Sequence, residues 1–152
     1  MRKEMLRGFT MVLLAVTLSC AAAVVSANAQ ASNRLSAAIP FDFAVGNKTM
    51  TAGDYSVISV TNDGTGLAIR SAQTGQSVMR LSNSIEPQRN KTQARLVFHR
   101  YGQRYFLAEV WAGGNSTGRE LLQSREERAI RHESDRLARN TYETVELLAM
   151  LR

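Results

Sequence analysis

A pair of apolar segments joined by a two-residue turn is the feature that most constrains how this chain can fold. Arg95–Tyr101 and Arg104–Ala112 flank Gly102-Gln103, and glycine at the first loop position suits a type II′ turn. So short a loop fixes the register of a hairpin, which predicts three cross-strand pairs: Tyr101 with Arg104, His99 with Phe106, and Val97 with Ala108. Both faces of the hairpin are largely apolar. We therefore expect these two strands to be central, with a packed layer on each side.

The residues before this hairpin also alternate between apolar and polar side chains, which is typical of half-buried strands. The alternation predicts four earlier strands: Ile39–Val45, Tyr55–Val60, Leu67–Ala72 and Ser77–Leu81. Pro40 cannot donate to a strand ladder, so the first strand starts there or lies at an edge. About six strands with frequent turns predict a mainly β fold, a small antiparallel sandwich or barrel with a C-terminal α-helix.

The C-terminal segment has a helical pattern. Ser124-Arg125-Glu126-Glu127 is a capping box, and no glycine or proline follows it. Apolar residues recur at helical spacing and form a candidate partner-binding stripe: Ile130, Leu137, Val145, Leu148 and Leu151. This stripe can pack on the chain's own sheet, on a second copy or on a membrane surface.

The N-terminus has the three parts of a secretory signal peptide. Arg2, Lys3 and Arg7 precede an uncharged, mostly apolar run, and Ala27-Asn28-Ala29 is an A-x-A cleavage site before Gln30. Alternatives are an uncleaved anchor or a lipid on Cys20, which is the only cysteine. Cleavage after Ala29 predicts a secreted or periplasmic protein without a cysteine or a membrane span. The predicted organisation is a signal peptide (1–29), a flexible leader (30–37), an antiparallel β domain (38–114), a connection (115–123) and an amphipathic helix (124–152).

Positive charge is concentrated in the middle of the chain. The chain has 19 basic and 13 acidic side chains, of which Arg2, Lys3, Arg7 and Glu4 lie in the signal peptide, so four excess positive charges remain after cleavage. Five arginines form a candidate anion-binding face: Arg70, Arg80, Arg95, Arg100 and Arg104. Such a face attracts anionic envelope surfaces, although an ordinary solvated surface has the same composition. Export makes a nucleic-acid partner an unfavourable interpretation.

No pattern of catalytic residues stands out. His99 and Glu109 fall on opposite faces of the predicted hairpin, so we expect His99 to pack against Phe106 with its polar edge satisfied locally. His132 lies on the charged face of the predicted helix. The sequence lacks the nucleophile-elbow, phosphate-loop and metal-ligand spacings. We predict no enzyme activity, no cofactor and no metal.

Two stretches resemble small exported bacterial proteins of unknown function, of a kind common in acidobacterial-type genomes. The first is Ile39–Gly46 (IPFDFAVG) with Ala52–Val57 (AGDYSV), and the second is Leu96–Gly102 (LVFHRYG) with Tyr105–Trp111 (YFLAEVW). The family turn reads Leu-Pro-Ala-Gly where this chain has Met50-Thr51-Ala52-Gly53. The resemblance implies export and a β fold, and it carries no known activity or site residues.

Two functions are therefore expected. The first is a non-catalytic β domain that binds or scaffolds an anionic surface or a protein partner in the cell envelope. The alternative is a periplasmic carrier of a small ligand, with an internal apolar cavity lined by Phe41, Phe43, Tyr55 and Trp111. A carrier requires a cavity of a few hundred Å³, roughly, whereas a scaffold requires a filled core and an exposed patch.

Overall fold

The computed structural model describes residues 34–86, 92–114, 117–136 and 142–151. These ranges form eleven strands and one helix. The strands are β1 (Leu35–Ile39), β2 (Phe43–Val45), β3 (Lys48–Met50), β4 (Gly53–Ser59), β5 (Gly66–Ser71), β6 (Ser77–Ile85), β7 (Arg95–Tyr101), β8 (Arg104–Trp111), β9 (Gly118–Leu121), β10 (Glu143–Leu148) and β11 (Met150–Leu151). The helix, α1, is Arg125–Arg136.

The strands follow one hydrogen-bonded order, β10-β7-β8-β9-β6-β5-β4-β1-β11. β6 joins the two halves of this order, which are β10-β7-β8-β9 on one side and β5-β4-β1-β11 on the other. Its residues Ser77–Leu81 pair with β5, and its residues Ser82–Ile85 pair with β9. β2 pairs with β3 and, in parallel, with β8. β10 and β11 end the order and are consecutive segments of the chain, separated by Ala149, and no ladder between them closes a barrel.

The fold is mainly β, as predicted, but the expected number of about six strands is wrong. The predicted single strand over 39–45 is not formed: Ile39 is the last residue of β1, Phe43–Val45 form β2, and Pro40, Phe41 and Asp42 lie between the two strands. A proline cannot donate to the ladder, and β1 pairs with β4 whereas β2 pairs with β3. Four strands were not predicted. β3 and β9 are short, and β10 and β11 lie in the segment that was predicted to be helical.

Residues from both halves of the strand order form one apolar core. Ile39, Val57 and Ile69 come from one half, and Leu96 and Phe98 from the other. Aromatic rings interlock at its centre: Phe43 is edge-on to Tyr55 at 5.0 Å and to Phe98 at 5.5 Å between ring centroids. Edge-to-face packing of this kind adds to the stabilisation that burial itself provides.

The β7–β8 hairpin forms as predicted, with one shift of register. Gly102 has a φ of 63° at the first loop position, and the pairs Tyr101–Arg104 and His99–Phe106 are confirmed. Val97 pairs with Glu109 instead of the predicted Ala108, because an irregularity between Val97 and Phe98 leaves an extra residue on β8. Every residue of β7 except Arg100 is buried, which agrees with a central position.

The predicted C-terminal helix begins correctly and ends too late. The Glu127 backbone N–H donates to the Ser124 hydroxyl at 3.0 Å, the cap that the sequence predicts. The prediction of a helix to residue 152 is wrong, because residues 143–148 form β10 and pair along β7. Val145 and Leu147 fit strand alternation as well as helical spacing, and the open edge of β7 favours the strand.

The candidate partner-binding stripe is therefore divided. Ile130 lies on α1 and packs against Ala44, Tyr101 and Phe106. Val145 lies on β10 and packs against the core, whereas Leu148 and Leu151 are exposed on strands. Leu137 lies outside the described residues. No single helix face carries these side chains.

Within the described ranges, no helix has the length and apolar character needed to cross a membrane. The signal-peptide prediction (1–29) concerns residues that lie outside those ranges. Residues 35–37 of the predicted flexible leader (30–37) belong to β1. Export and cleavage after Ala29 stay predictions.

Candidate ligand-binding groove

Three of the five arginines in the predicted anion-binding face lie beside glutamates. Arg100 Nη1 is 3.2 Å from Glu143 Oε2, and Arg104 Nη2 is 2.5 Å from Glu126 Oε1. Arg95 is buried, with its Nε 3.8 Å from Glu146 Oε2 and its guanidinium 4.5 Å from the centroid of Trp111. The carboxylates come from α1 and β10, so the fold brings negative charge back onto the arginine-rich hairpin.

The other two arginines, Arg70 and Arg80, lie on neighbouring strands and differ in burial. Arg70 is exposed on β5, and Arg80 is half-buried on β6. Arg80 lies opposite Leu67 and Arg70 opposite Ser77, and successive side chains of a strand point to opposite faces, so Arg70 and Arg80 lie on opposite faces of the β5–β6 pair. The five arginines of the predicted anion-binding face therefore do not share one face. Of the five, Arg80 lines a surface groove.

Arg80 lines a surface groove of about 500 Å³. The groove lies where β6, β9 and the segment leading into α1 meet. Its lining residues are Arg80, Asn83, Glu120, Leu121, Leu122, Gln123 and Arg128. We refer to this set as the groove.

The position of Arg80 is fixed by two contacts. Its Nη2 donates to the Leu122 carbonyl oxygen at 2.8 Å, and its guanidinium packs directly over Gly46, where an added Cβ would lie 2.7 Å from Cζ. The Nε of Arg80 is buried and has no hydrogen-bond partner among the described residues. A buried charged donor without a partner is costly, and this Nε is enclosed against Gly46, 2.8 Å from the position of an added Cβ.

The first turn of α1 supplies the second cation. Arg128 follows the Ser124 cap, and its backbone N–H donates to the Ser124 carbonyl oxygen at 3.1 Å. Gln123 comes immediately before the cap, so both groove residues depend on where the helix begins. The N-terminal turn of a helix also carries partial positive charge, which adds to the attraction for an anion.

α1 is held on the sheet by a buried polar contact. His99 Nδ1 and Glu127 Oε1 are 3.1 Å apart, and both residues are buried. The Tyr142 ring lies over the His99 ring at 4.1 Å. Burial raises the pKa of the nearby Tyr101 phenol to about 12, and the negative charge of Glu127 adds to this shift. This contact orients the helix turn that carries Arg128.

The groove combines positive charge with neutral donors. Arg80 and Arg128 contribute two positive charges and Glu120 contributes one negative charge, so its formal charge is +1. The side-chain amides of Asn83 and Gln123 can each donate two further hydrogen bonds. Guanidinium groups bind carboxylate and phosphate oxygens in bidentate geometry. The arrangement is therefore suited to binding an anion.

The other candidate residues have structural partners. His99 packs across from Phe106 as predicted, but its polar edge is satisfied by Glu127 on α1 and not locally. Glu109 accepts a hydrogen bond from Trp111 Nε1 at 2.7 Å, and His132 is exposed. In the part of the chain that the structure describes, no three potential metal ligands converge.

The residues of the alternative carrier cavity do not surround one space. Phe41, Phe43 and Tyr55 pack into the core with Phe98, whereas Trp111 lies outside that cluster, against Glu109 and Arg95.

Sequence reasoning missed Asn83, Gln123 and Arg128 as partners of Arg80. The capping box did place Arg128 in the first turn of a helix, but nothing in the sequence brings that turn next to β6.

No protein-family model matches this chain, and neither a curated protein nor a solved structure matches it significantly. The resemblance of Ile39–Gly46 and Leu96–Gly102 to exported bacterial proteins stays a prediction. The geometry of the groove therefore carries the functional inference.

Proposed function

We propose that this chain is an exported, non-catalytic β domain of the bacterial cell envelope that binds an anionic ligand in the groove. The observation that carries this proposal is that two arginines from separate elements, Arg80 of β6 and Arg128 of α1, line the same surface groove. Arg128 and two amide side chains lie around the same groove. Phosphate and carboxylate groups fit this set of donors.

The export part of the proposal depends on the leader sequence. Its basic start, apolar run and A-x-A site are those of a cleavable signal. An exported protein encounters acidic polysaccharides, lipopolysaccharide and phospholipid head groups, all of which carry anionic groups. An anionic ligand is thus expected both from the export signal and from the donors that line the groove.

The carrier hypothesis has less support. Its proposed cavity residues fill the core or lie outside it, as described above, so an internal apolar cavity of that lining has no place in this packing. The groove is open to the surface and lined by charged and amide groups, which favours an anionic head group over a wholly apolar ligand.

Salt-dependent retention on phosphocellulose tests the proposal. We expect the exported protein to elute at a lower salt concentration when Arg80→Gln or Arg128→Gln is introduced. Arg70→Gln is the control, because it removes the same charge from an exposed residue outside the groove. Thermal unfolding of each variant confirms that it is folded, and Arg80→Lys retains the charge without the bidentate geometry.

Equal shifts for all three charge-removing variants mean that retention follows net charge and contradict the proposed groove. Absence of retention in the unmodified protein contradicts anion binding altogether. A retained protein whose Arg80→Gln and Arg128→Gln variants alone elute early supports it.

A further inference from the structure

The groove contains a carboxylate for which a simple anion has no use. Glu120 is exposed on β9 and lines the groove together with Arg80 and Arg128. An ionised carboxylate only accepts hydrogen bonds, and so do the oxygens of an anion such as acetate. Glu120 therefore repels a simple anion that binds to the arginines. A ligand that also carries hydroxyl groups can instead donate hydrogen bonds to Glu120.

The Glu120 side chain adds nothing to the fold that the described residues reveal. It forms neither a hydrogen bond nor an ion pair with another described residue. On β8 it lies opposite Glu109, and like charges directly opposite each other destabilise a sheet. Glu109 itself accepts a hydrogen bond from Trp111 Nε1. The carboxylate of Glu120 is thus available to a ligand.

Asn83 lies beside Glu120 in the groove. The two residues are cross-strand partners on β6 and β9, so their side chains are neighbours on one face, with Cβ atoms about 4.5–5.5 Å apart. The Asn83 amide has no side-chain partner among the described residues, and an amide both donates and accepts hydrogen bonds. An amide beside a carboxylate fits adjacent hydroxyl groups, because one hydroxyl donates to the carboxylate while its neighbour bonds to the amide.

The two arginines reach the groove from other directions. Arg80 extends from the face of β6 opposite to that of Asn83, and its Nη2 contacts the groove at the Leu122 carbonyl oxygen, 2.8 Å away. Arg128 comes from α1, and it forms no ion pair with a described residue, Glu120 included. The cations and the carboxylate thus line one groove without pairing with each other. Its volume of about 500 Å³ is within the range of small organic ligands, roughly 300–1,000 Å³.

We infer that the ligand is an anionic sugar, whose charged group binds the two groove arginines and whose hydroxyl groups bind Glu120 and Asn83. This inference rests on the proposed function, because the charged group occupies the same groove. It adds the polyhydroxylated part of the ligand. A sugar acid and a sugar phosphate share this chemistry, since guanidinium groups bind both carboxylate and phosphate oxygens.

Amide chemical-shift titrations with glucuronate, acetate and glucose test the inference, because these probes separate the anionic group from the hydroxyl groups. We expect glucuronate to bind at least about tenfold more tightly than acetate, as one hydrogen bond to a charged group provides. Glucose should bind more weakly than glucuronate, since it has no group that pairs with the arginines. Glucose 6-phosphate and methyl phosphate repeat the comparison for phosphate. Whichever sugar anion binds more tightly identifies the source, and either supports the inference.

Glu120→Gln should lower the ratio of glucuronate affinity to acetate affinity by about three- to tenfold. Relief of the repulsion raises both affinities and cancels in this ratio, whereas the lost charged acceptor affects glucuronate alone. Arg128→Gln should weaken the binding of both probes and leave the ratio unchanged. Glu133→Gln is the matched control, because it removes an exposed carboxylate of α1 outside the groove. Thermal unfolding confirms that each variant is folded.

Equal affinities for glucuronate and acetate, together with equal affinities for the two phosphates, overturn the inference and leave the proposed anion site intact. A ratio that Glu120→Gln leaves unchanged, or that Glu133→Gln lowers equally, also overturns the inference alone. If no probe binds, both the inference and the proposed function fail. Glucose that binds as tightly as glucuronate overturns both as well, since the charged group is then not recognised.

Discussion

His99 on β7 and Glu127 on α1 form a buried hydrogen bond across two elements, with 3.1 Å between Nδ1 and Oε1. The contact joins a ring nitrogen to a carboxyl oxygen, a pair that forms one hydrogen bond. Glu127 is also the third residue after the Ser124 cap. Glu127 thus takes part in the helix cap through its backbone N–H and holds the helix on the sheet through its side chain.

Removal of either partner should weaken the docking of α1. We expect His99→Ala and Glu127→Ala each to lower the free energy of unfolding by about 1–3 kcal/mol, since the remaining group is buried without its partner. The double variant should cost less than the sum, by about 0.5 kcal/mol or more. Urea unfolding of the four proteins measures this. Glu126→Ala, which removes only an exposed ion pair with Arg104, should cost about 1 kcal/mol or less. Strict additivity of the two single effects contradicts a direct contact.

Gly46 should be required for ligand binding. It has a φ of 64°, and an added Cβ would lie 2.7 Å from the Arg80 Cζ, so Gly46→Ala should displace the guanidinium and weaken phosphate binding. Gly102→Ala is the control, because Gly102 has a φ of 63° with no heavy atom within 4 Å of its added Cβ. Both variants introduce left-handed backbone strain. Calorimetry should show lost phosphate affinity in Gly46→Ala alone. Equal affinities in the two variants would count against the role of Arg80.

Glu120 should oppose anion binding. It is the carboxylate that lines the groove with Arg80 and Arg128, and its removal changes the formal charge of the groove from +1 to +2. Glu120→Gln should therefore raise phosphate affinity by about two- to tenfold, in the range expected for one partly exposed charge. Glu133→Gln removes an exposed charge of α1 outside the groove and should have little effect. An unchanged affinity in Glu120→Gln is inconsistent with an anion between these side chains.

Tyr101 should make the protein sensitive to alkaline pH. Burial raises the pKa of its phenol to about 12, above the ordinary value near 10. The unfolded chain then releases the proton first, so stability is complete below about pH 10 and falls as pH rises toward 12. Tyr101→Phe removes this loss, and it also removes a buried hydroxyl without a partner among the described residues. Unfolding measured from pH 8 to 12 compares it with Tyr142→Phe, a change at an exposed site. The same alkaline loss in Tyr101→Phe and the unmodified protein contradicts the assignment.

Local rules in the sequence predicted the features that depend on neighbouring residues. Gly102-Gln103 determines the hairpin and its first pairs, and Ser124 determines where α1 begins. The register shift next to Val97 leaves Ala108 as an extra residue on β8, and no residue type near Ala108 predicts it. Val145 and Leu148 fit a helical stripe, and only the free edge of β7 makes that segment a strand.

The order of charged residues along the sequence did not predict the charge distribution on the folded surface. Arg95, Arg100 and Arg104 are close in sequence with few acids between them, and this predicted a basic face. The glutamates that lie beside them come from α1 and β10, which pack on the hairpin only after folding. The groove escaped the sequence analysis for the same reason, because Arg80 and Arg128 belong to separate elements.

Amide chemical shifts during titration with inorganic phosphate test the central claim most directly. The account predicts that the largest changes occur at Leu122, Gln123 and Arg128 and at the side-chain amide of Asn83, and that Arg80→Gln abolishes them. Arg70→Gln should leave them in place. Changes spread evenly over the exposed arginines, or changes that persist in Arg80→Gln, would contradict an anion site in the groove.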